Sequence, residues 1–184
     1  ELFEPGPIAG KRITAETCVH FLHFTEHDYD RLGFLIKCNP AIKTARDREA
    51  IVKALAEGRL DVLATDHAPH LLEEKQGNYS QAPSGIPLVQ YALQTALERV
   101  FQGELTLERL VEVVSHAPAE LFRVSNRGYL REGYAADLVL VDPHRPHDVT
   151  NDEVLSKCGW TPFDDTAFSS SIVATFVNGE RVWD

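Results

Sequence analysis

Between residues 12 and 65 the chain runs strand, helix, strand, and that order constrains its fold more than any other feature. Residues 12–19 (Arg-Ile-Thr-Ala-Glu-Thr-Cys-Val) carry β-branched side chains in partial alternation and predict a strand. Phe34 to Cys38 is a short apolar segment halted by Asn39-Pro40. Thr44 then opens a helix, with Asp47 in capping-box position, and Gly58 ends it. Ile51, Val52, Leu55 and Ala56 form its expected buried stripe. The apolar run at 61–65 predicts the second strand. Two strands joined through a helix are the grammar of an α/β fold with a parallel sheet.

Downstream, residues 71–85 read as a polar loop of the length seen in functional lids. Pro87 opens a helix reaching Gln102, with Gly103 as its stop. A third helix starts near Thr106, and Pro118 restarts the chain as a short helix over 119–123. From about Ser125 the pattern turns to β. Residues 136–142 predict a strand. Residues 172–177 and 180–183, joined by Asn178-Gly179, predict a hairpin. The expected division is therefore 1–125 and 126–184. A hairpin and one further strand bury a sheet face poorly, so the second part is expected to need strands from elsewhere.

The chemistry concentrates at residues 64–70, Ala-Thr-Asp-His-Ala-Pro-His. Asp66, His67 and His70 follow the apolar strand directly. Carboxylate and imidazole are the groups that bind a borderline cation and move protons. The chain has 28 acidic and 18 basic residues, a net charge of −10, which argues against nucleic acid or an anionic membrane surface as partner. An anionic small substrate would need a local positive centre, such as a metal, to offset that charge. No apolar run approaches the ~20 residues of a membrane span, and no signal peptide is visible. Cys18, Cys38 and Cys158 are an odd, widely spaced set, a poor disulfide framework and no zinc-finger pattern. A reducing cytoplasm is the expected compartment.

Other candidates have plainer readings. His20, His23, His27 and His67 are expected to pack and hydrogen-bond, His116 to end a helix, and His144 and His147 to lie solvated in a Pro-rich turn. Cys18 and Cys38 are expected to pack as small hydrophobes, and Glu16 to be a structural carboxylate. The chain starts at Glu1, has no Met, and opens on a Pro- and Gly-rich stretch to Lys11 that reads as a linker. It is expected to be the C-terminal part of something longer.

Taken with the α/β order before it and the β-rich tail after it, the 64–70 element resembles the amidohydrolase superfamily. More narrowly, the chain resembles the C-terminal part of a class I dihydroorotase. Further marks are the runs at 13–17, 37–43 (Lys-Cys-Asn-Pro-Ala-Ile-Lys), 82–87 (Ala-Pro-Ser-Gly-Ile-Pro), 133–139 and 157–163 (Lys-Cys-Gly-Trp-Thr-Pro-Phe). The resemblance implies the last two strands and helices of a (β/α)8 barrel plus part of a small β-sandwich built from both chain ends. Residues 12–20 would be the seventh strand and 61–66 the eighth, with Asp66 at the C-terminal end, where such barrels place their sites.

The implied activity is a zinc-dependent interconversion of dihydroorotate and N-carbamoyl-aspartate in pyrimidine biosynthesis. Asp66 would bind one or two zinc ions and shuttle the proton. Asn39 and His70 would contact the substrate, His70 at its carboxylate, and Ser84 and Gly85 would meet the ring through the backbone. The family's other metal ligands and its substrate-binding Arg have no match here, so the resemblance implies a missing N-terminal barrel half and an isolated chain without activity. A homodimer is a further possibility. The alternatives are a hydantoinase- or allantoinase-type cyclic amidase, which usually lacks a counterpart of His70, and an inactive dihydroorotase-like structural partner.

Overall fold

In a computed structural model that describes residues 2–183, the strand–helix–strand unit is present and its strands are short. Glu1, at the head of the expected linker, and Asp184, at the end of the expected second part, lie outside the described residues. Strand β1 spans Glu16–Cys18 and is followed by α1 (Val19–His23), α2 (Tyr29–Leu32), a tight 3₁₀ turn at Gly33–Ile36, α3 (Ala45–Ala56) and β2 (Val62–Ala64). The two strands pair in parallel, with Glu16 opposite Val62 and Cys18 opposite Ala64. The strand expected over 12–19 shrinks to three residues because its partner β2 is three residues long, and a ladder extends only where both chains run.

Helix α3 begins where its capping box dictates. Thr44 Oγ1 accepts from the Asp47 amide at 3.3 Å, and the Asp47 carboxylate accepts from the Thr44 amide at 3.1 Å. Val52 and Leu55 are buried, while Ile51 is half-buried and Ala56 exposed, so the apolar stripe is narrower than its sequence pattern. After Pro87 the chain makes a 3₁₀ turn at Val89–Tyr91 before α4 (Ala92–Phe101). Helix α5 (Leu107–Val111) does not stop ahead of Pro118. It continues through a wide π turn at Glu112–His116 into α6 (Ala117–Leu121). Proline has no N–H and its ring crowds the carbonyl four residues back, and the widened turn accommodates both. His116 therefore sits inside a helical run, stacked on Tyr129 at 4.0 Å between ring centroids, and not at a helix end.

The C-terminal strands are β3 (Leu138–Asp142), β4 (His147–Asp148), β5 (Ala167–Phe168), β6 (Ser171–Val177) and β7 (Glu180–Trp183). One antiparallel sheet has the order β3-β6-β7. Its hairpin turns at Asn178 and Gly179, with φ of 53° and 82°, the paired left-handed conformation that favours Asn-Gly. The small β4–β5 ladder has no clear sequence signal. Around it, Val149, Phe163 and Phe168 join the core formed by Val19, Leu22, Phe24, Leu55, Leu88, Tyr91 and Leu110. Phe163 stacks on Phe24 at 5.4 Å and meets Tyr91 edge-on at 5.9 Å. The segment after residue 142 thus returns to seal the α/β layer. His147, expected to be solvated, is half-buried there. Its Nε2 lies 2.7 Å from Glu153 Oε1 and its Nδ1 3.2 Å from Gln94 Nε2.

The buried face of α1 makes stability sensitive to acid. His20 is 1% exposed, and neither ring nitrogen has a hydrogen-bond partner, so the hydrogen bonding expected for it is not made. His23 lies against Phe24 and Phe163. Burial pushes both imidazoles down to about 4, with the nearby Asp66 charge opposing it at His20 and the Arg99 charge reinforcing it at His23. Folded-state values below the ordinary 6.5 mean that the unfolded chain takes up protons first as pH falls. The stabilisation is fully present above pH 6.5 and is lost as pH drops toward 4, on the order of 3 kcal/mol for His20. Urea midpoints measured from pH 7 to pH 4 should fall accordingly. His20→Phe should flatten that slope, and an unchanged slope would contradict the assignment.

Candidate active site

Asp66 lies just past the end of β2 with φ of 48°, a left-handed conformation that Asp and Asn tolerate better than other side chains. Asp66 is exposed and lines a cavity of about 510 Å³. Glu16, Thr17 and Cys18 of β1, Asn39 and Pro40 of the following loop, and Arg48 of α3 line the same cavity. Asn39, also exposed, precedes a cis proline. Two of the sequence-predicted residues, Asp66 and Asn39, thus share one cavity across the parallel strands.

The other three form a second group. His67 forms a parallel bridge with Ile86, and the Ala68 amide donates to the Ile86 carbonyl at 3.0 Å. This pairing brings the chain after Asp66 alongside residues 84–86. His70 Nε2 then donates to the Ser84 carbonyl at 3.2 Å. Gly85, with φ of 146°, lies under the ring: a Cβ there would stand 2.8 Å from His70 Nε2 and from the Ala68 carbonyl. Only glycine allows both the conformation and the approach. His70, Ser84 and Gly85 do not line the cavity that holds Asp66 and Asn39.

The remaining candidates have structural work. His67 Nδ1 accepts from the Leu88 and Val89 amides at 3.0 and 3.1 Å, capping the turn that leads into α4. A nitrogen that accepts twice carries no proton, and burial lowers this imidazole's pKa. Burial, assisted by the Asp66 charge, pushes the Cys18 thiol up to about 12 and the Cys38 thiol to about 11. Both stay protonated at neutral pH, which disfavours nucleophilic or metal-ligating roles. Glu16 is exposed at the cavity rim.

Three contributors had no local sequence signal of their role. Trp160, 2% exposed, donates from Nε1 to the His70 carbonyl at 2.8 Å and anchors that residue's backbone from 90 positions away. Lys37 and Lys75 tie the backbone at 37 to residues 79–85 through their ammonium groups. Their only sequence mark is that Lys37 and Trp160 fall in the runs at 37–43 and 157–163.

Among the described residues no group of three or more His, Cys, Asp and Glu side chains could hold a metal ion. Asp66 offers one carboxylate. The donors present do not by themselves make a catalytic zinc site, which takes three protein ligands and an open position. Among the described residues no helix is long and apolar enough to cross a membrane.

The α/β layer thus ends a parallel strand beside a cavity lined by Asp66 and Asn39. The amidohydrolase family model matches residues 5–182, and the chain belongs to that family. It is 40% identical to a dihydroorotase of Halobacterium salinarum over 171 residues, 93% of this chain and 40% of that protein. It is 35% identical over 184 residues to a dihydroorotase of Endomicrobium trichonymphae, covering all of this chain and 44% of that one. Among solved structures, the L-hydantoinase (dihydropyrimidinase) of Arthrobacter aurescens superposes with a TM-score of 0.91 at 30% identity, over 96% of this chain and 40% of that one. The chain spans less than half the length of the relatives it matches.

Proposed function

We propose that this chain is the C-terminal portion of a dihydroorotase. It would bring the last two strands of a (β/α)8 barrel, within residues 1–125, and strands of a composite β-sandwich, within 126–184. The observation that carries the reading is Asp66 at the end of β2, lining a cavity shared with Asn39, in a chain 40% identical to a dihydroorotase. The reaction is hydrolysis of a cyclic amide, dihydroorotate to N-carbamoyl-aspartate, and its reversal. Water oxygen bonds to the ring carbonyl carbon while the Asp66 carboxylate takes the water's proton. The C–N bond then breaks, and Asp66 returns that proton to the departing nitrogen. Asn39 holds the substrate from the opposite strand's loop. His70 is assigned to the substrate carboxylate and the Ser84–Gly85 backbone to the ring, from the neighbouring group outside the cavity that Asp66 and Asn39 line.

Zinc dependence is part of the proposal. Bound at this site, zinc would make water easier to deprotonate. Asp66 would supply one ligand, and the others would come from a barrel half outside this chain. The purified 184-residue chain is accordingly expected to hold little zinc and to show no turnover.

The likeness to L-hydantoinase favours a second reading, a cyclic amidase of the hydantoinase type. The complete protein should be assayed with dihydroorotate, a 5-substituted hydantoin and dihydrouracil. The dihydroorotase reading expects kcat/KM for dihydroorotate to exceed the others by at least about a hundredfold, because a site built to hydrogen-bond a substrate group rejects analogues lacking that group. A preference for the hydantoin would replace this reading with the second. No turnover of any of the three would sink both.

A further inference from the structure

The polar loop at 71–85 has the composition of a mobile lid, yet it contains a buried ammonium. Lys75 is 2% exposed, although Glu73, Glu74 and Gln76 beside it are exposed. Its Nζ donates to the carbonyls of Gly85 at 2.8 Å, Pro83 at 2.9 Å and Lys37 at 3.3 Å. No carboxylate of the described residues forms an ion pair with it. An ammonium has three N–H groups, and here each has a carbonyl. Burying a charge without a counter-ion is costly, so a purely passive lysine would turn its end to water. Burial, with the Lys37 charge adding to it, pulls the Lys75 pKa down to about 8.

Lys37 runs the opposite way. Its side chain donates to the carbonyls of Tyr79 and Ala82, with the ammonium 4.3 Å from the Tyr79 ring centre. The Gly85 amide donates to the Lys37 carbonyl at 2.9 Å. Two crossed lysines thus clasp residues 79–85 to the strand of backbone that leads into Asn39. The single Lys75 ammonium holds the Lys37 carbonyl, two residues before Asn39, together with the carbonyls on either side of Ser84.

We propose that Lys75 is a positioning residue for substrate binding, fixing Asn39, Ser84 and Gly85 relative to one another and, through Gly85 and the Ser84 carbonyl, the His70 ring. This rests on the dihydroorotase-type reading of those four residues. It also makes residues 79–86 a fixed wall of the site and not the closing lid that the loop's composition suggests. Lys75 acts through the backbone and touches no reacting atom. Its loss should therefore weaken binding and spare the proton transfers at Asp66.

The test uses the complete protein. Lys75→Met keeps the unbranched stem, one atom shorter, and removes all three donors. It should raise KM for dihydroorotate about tenfold or more while kcat stays within about threefold and zinc content is unchanged. Lys75→Gln, which keeps two N–H donors on a shorter stem, should fall between. An unchanged KM, or a fall in kcat alone, would overturn the role.

Amide exchange of the unsubstituted protein tests the same idea where a variant fails to fold. The clasp requires residues 79–86 to exchange slowly without substrate and to change less than about threefold when it is added. Rapid exchange that substrate suppresses would mark a lid and overturn the proposal. If the unsubstituted protein prefers a hydantoin, the functional reading fails on its own. The KM shift is then sought with that substrate, and the exchange result stands either way.

Discussion

Asp66→Asn is expected to lower turnover of dihydroorotate by the complete protein about a thousandfold, the range that a positioned acid–base group supplies. Asparagine keeps the size of the side chain and tolerates the left-handed conformation at φ 48°. The backbone bend at residue 66 should therefore survive. What the amide cannot do is accept the water's proton and hand it to the departing nitrogen. Alanine would be a poorer test, because a side chain without a polar end is less at ease in that conformation, and local strain would mix with lost chemistry. Metal content measured beside the rate separates the two parts of the assignment. Lost turnover with zinc retained isolates proton transfer. Lost turnover with zinc released shows that the carboxylate is also needed as a ligand. Near-normal turnover in Asp66→Asn would remove Asp66 from the mechanism.

The second large effect is on stability. Asp61, directly before β2, is 3% exposed, and Lys11 Nζ lies 2.6 Å from its Oδ1. Its Oδ2 accepts from the Ala15 amide at 3.0 Å, and its own amide donates to the Ala15 carbonyl at 2.7 Å. Lys11 Nζ also reaches the Gly58 carbonyl at 2.8 Å. One carboxylate thus fixes the approach to β1 against the start of β2, immediately before the pair Glu16–Val62. Asp61→Ala strips Lys11 of its counter-ion and leaves a backbone N–H without its acceptor. The expected loss is about 3–5 kcal/mol, as for breaking one side of a buried pair. Against a total domain stability of ~5–15 kcal/mol, that is enough to populate the unfolded state. Urea unfolding of the 184-residue chain measures it. The double variant Asp61→Leu/Lys11→Met should recover part of the loss, because the lone buried charge is then gone. A loss below about 1 kcal/mol in Asp61→Ala would show that the pair does not hold the strands.

The elements legible in the sequence are those whose cause is local. Thr44 and Asp47 form the capping box that their spacing of three residues dictates. Asn178-Gly179 makes the left-handed turn that only such a pair makes cheaply. Strand, helix and strand between 16 and 64 give parallel pairing because a short hairpin cannot join parallel strands. The errors have local causes too, acting against stronger distant ones. Pro118 is a strong breaker in isolation, yet packing carried the helix past it by widening one turn. His147 looks solvated beside its prolines, but Glu153 and Gln94 enclose it.

The amino-acid sequence by itself determined the α/β order and the family membership, and it marked Asp66 as the candidate proposed to carry chemistry. These rest on capping, turn and strand preferences, and on a motif at 64–70 written in consecutive residues. Only the tertiary structure decided that Asp66 and Asn39 share a cavity, that His70, Ser84 and Gly85 form a separate group, and that Lys75 is buried among carbonyls. Those facts depend on contacts such as Lys75 with Lys37, 38 positions apart, and Trp160 with His70, 90 apart. A lysine's place in the sequence specifies its charge. Whether that charge faces water or three carbonyls depends on which backbone the fold brings within reach of its end.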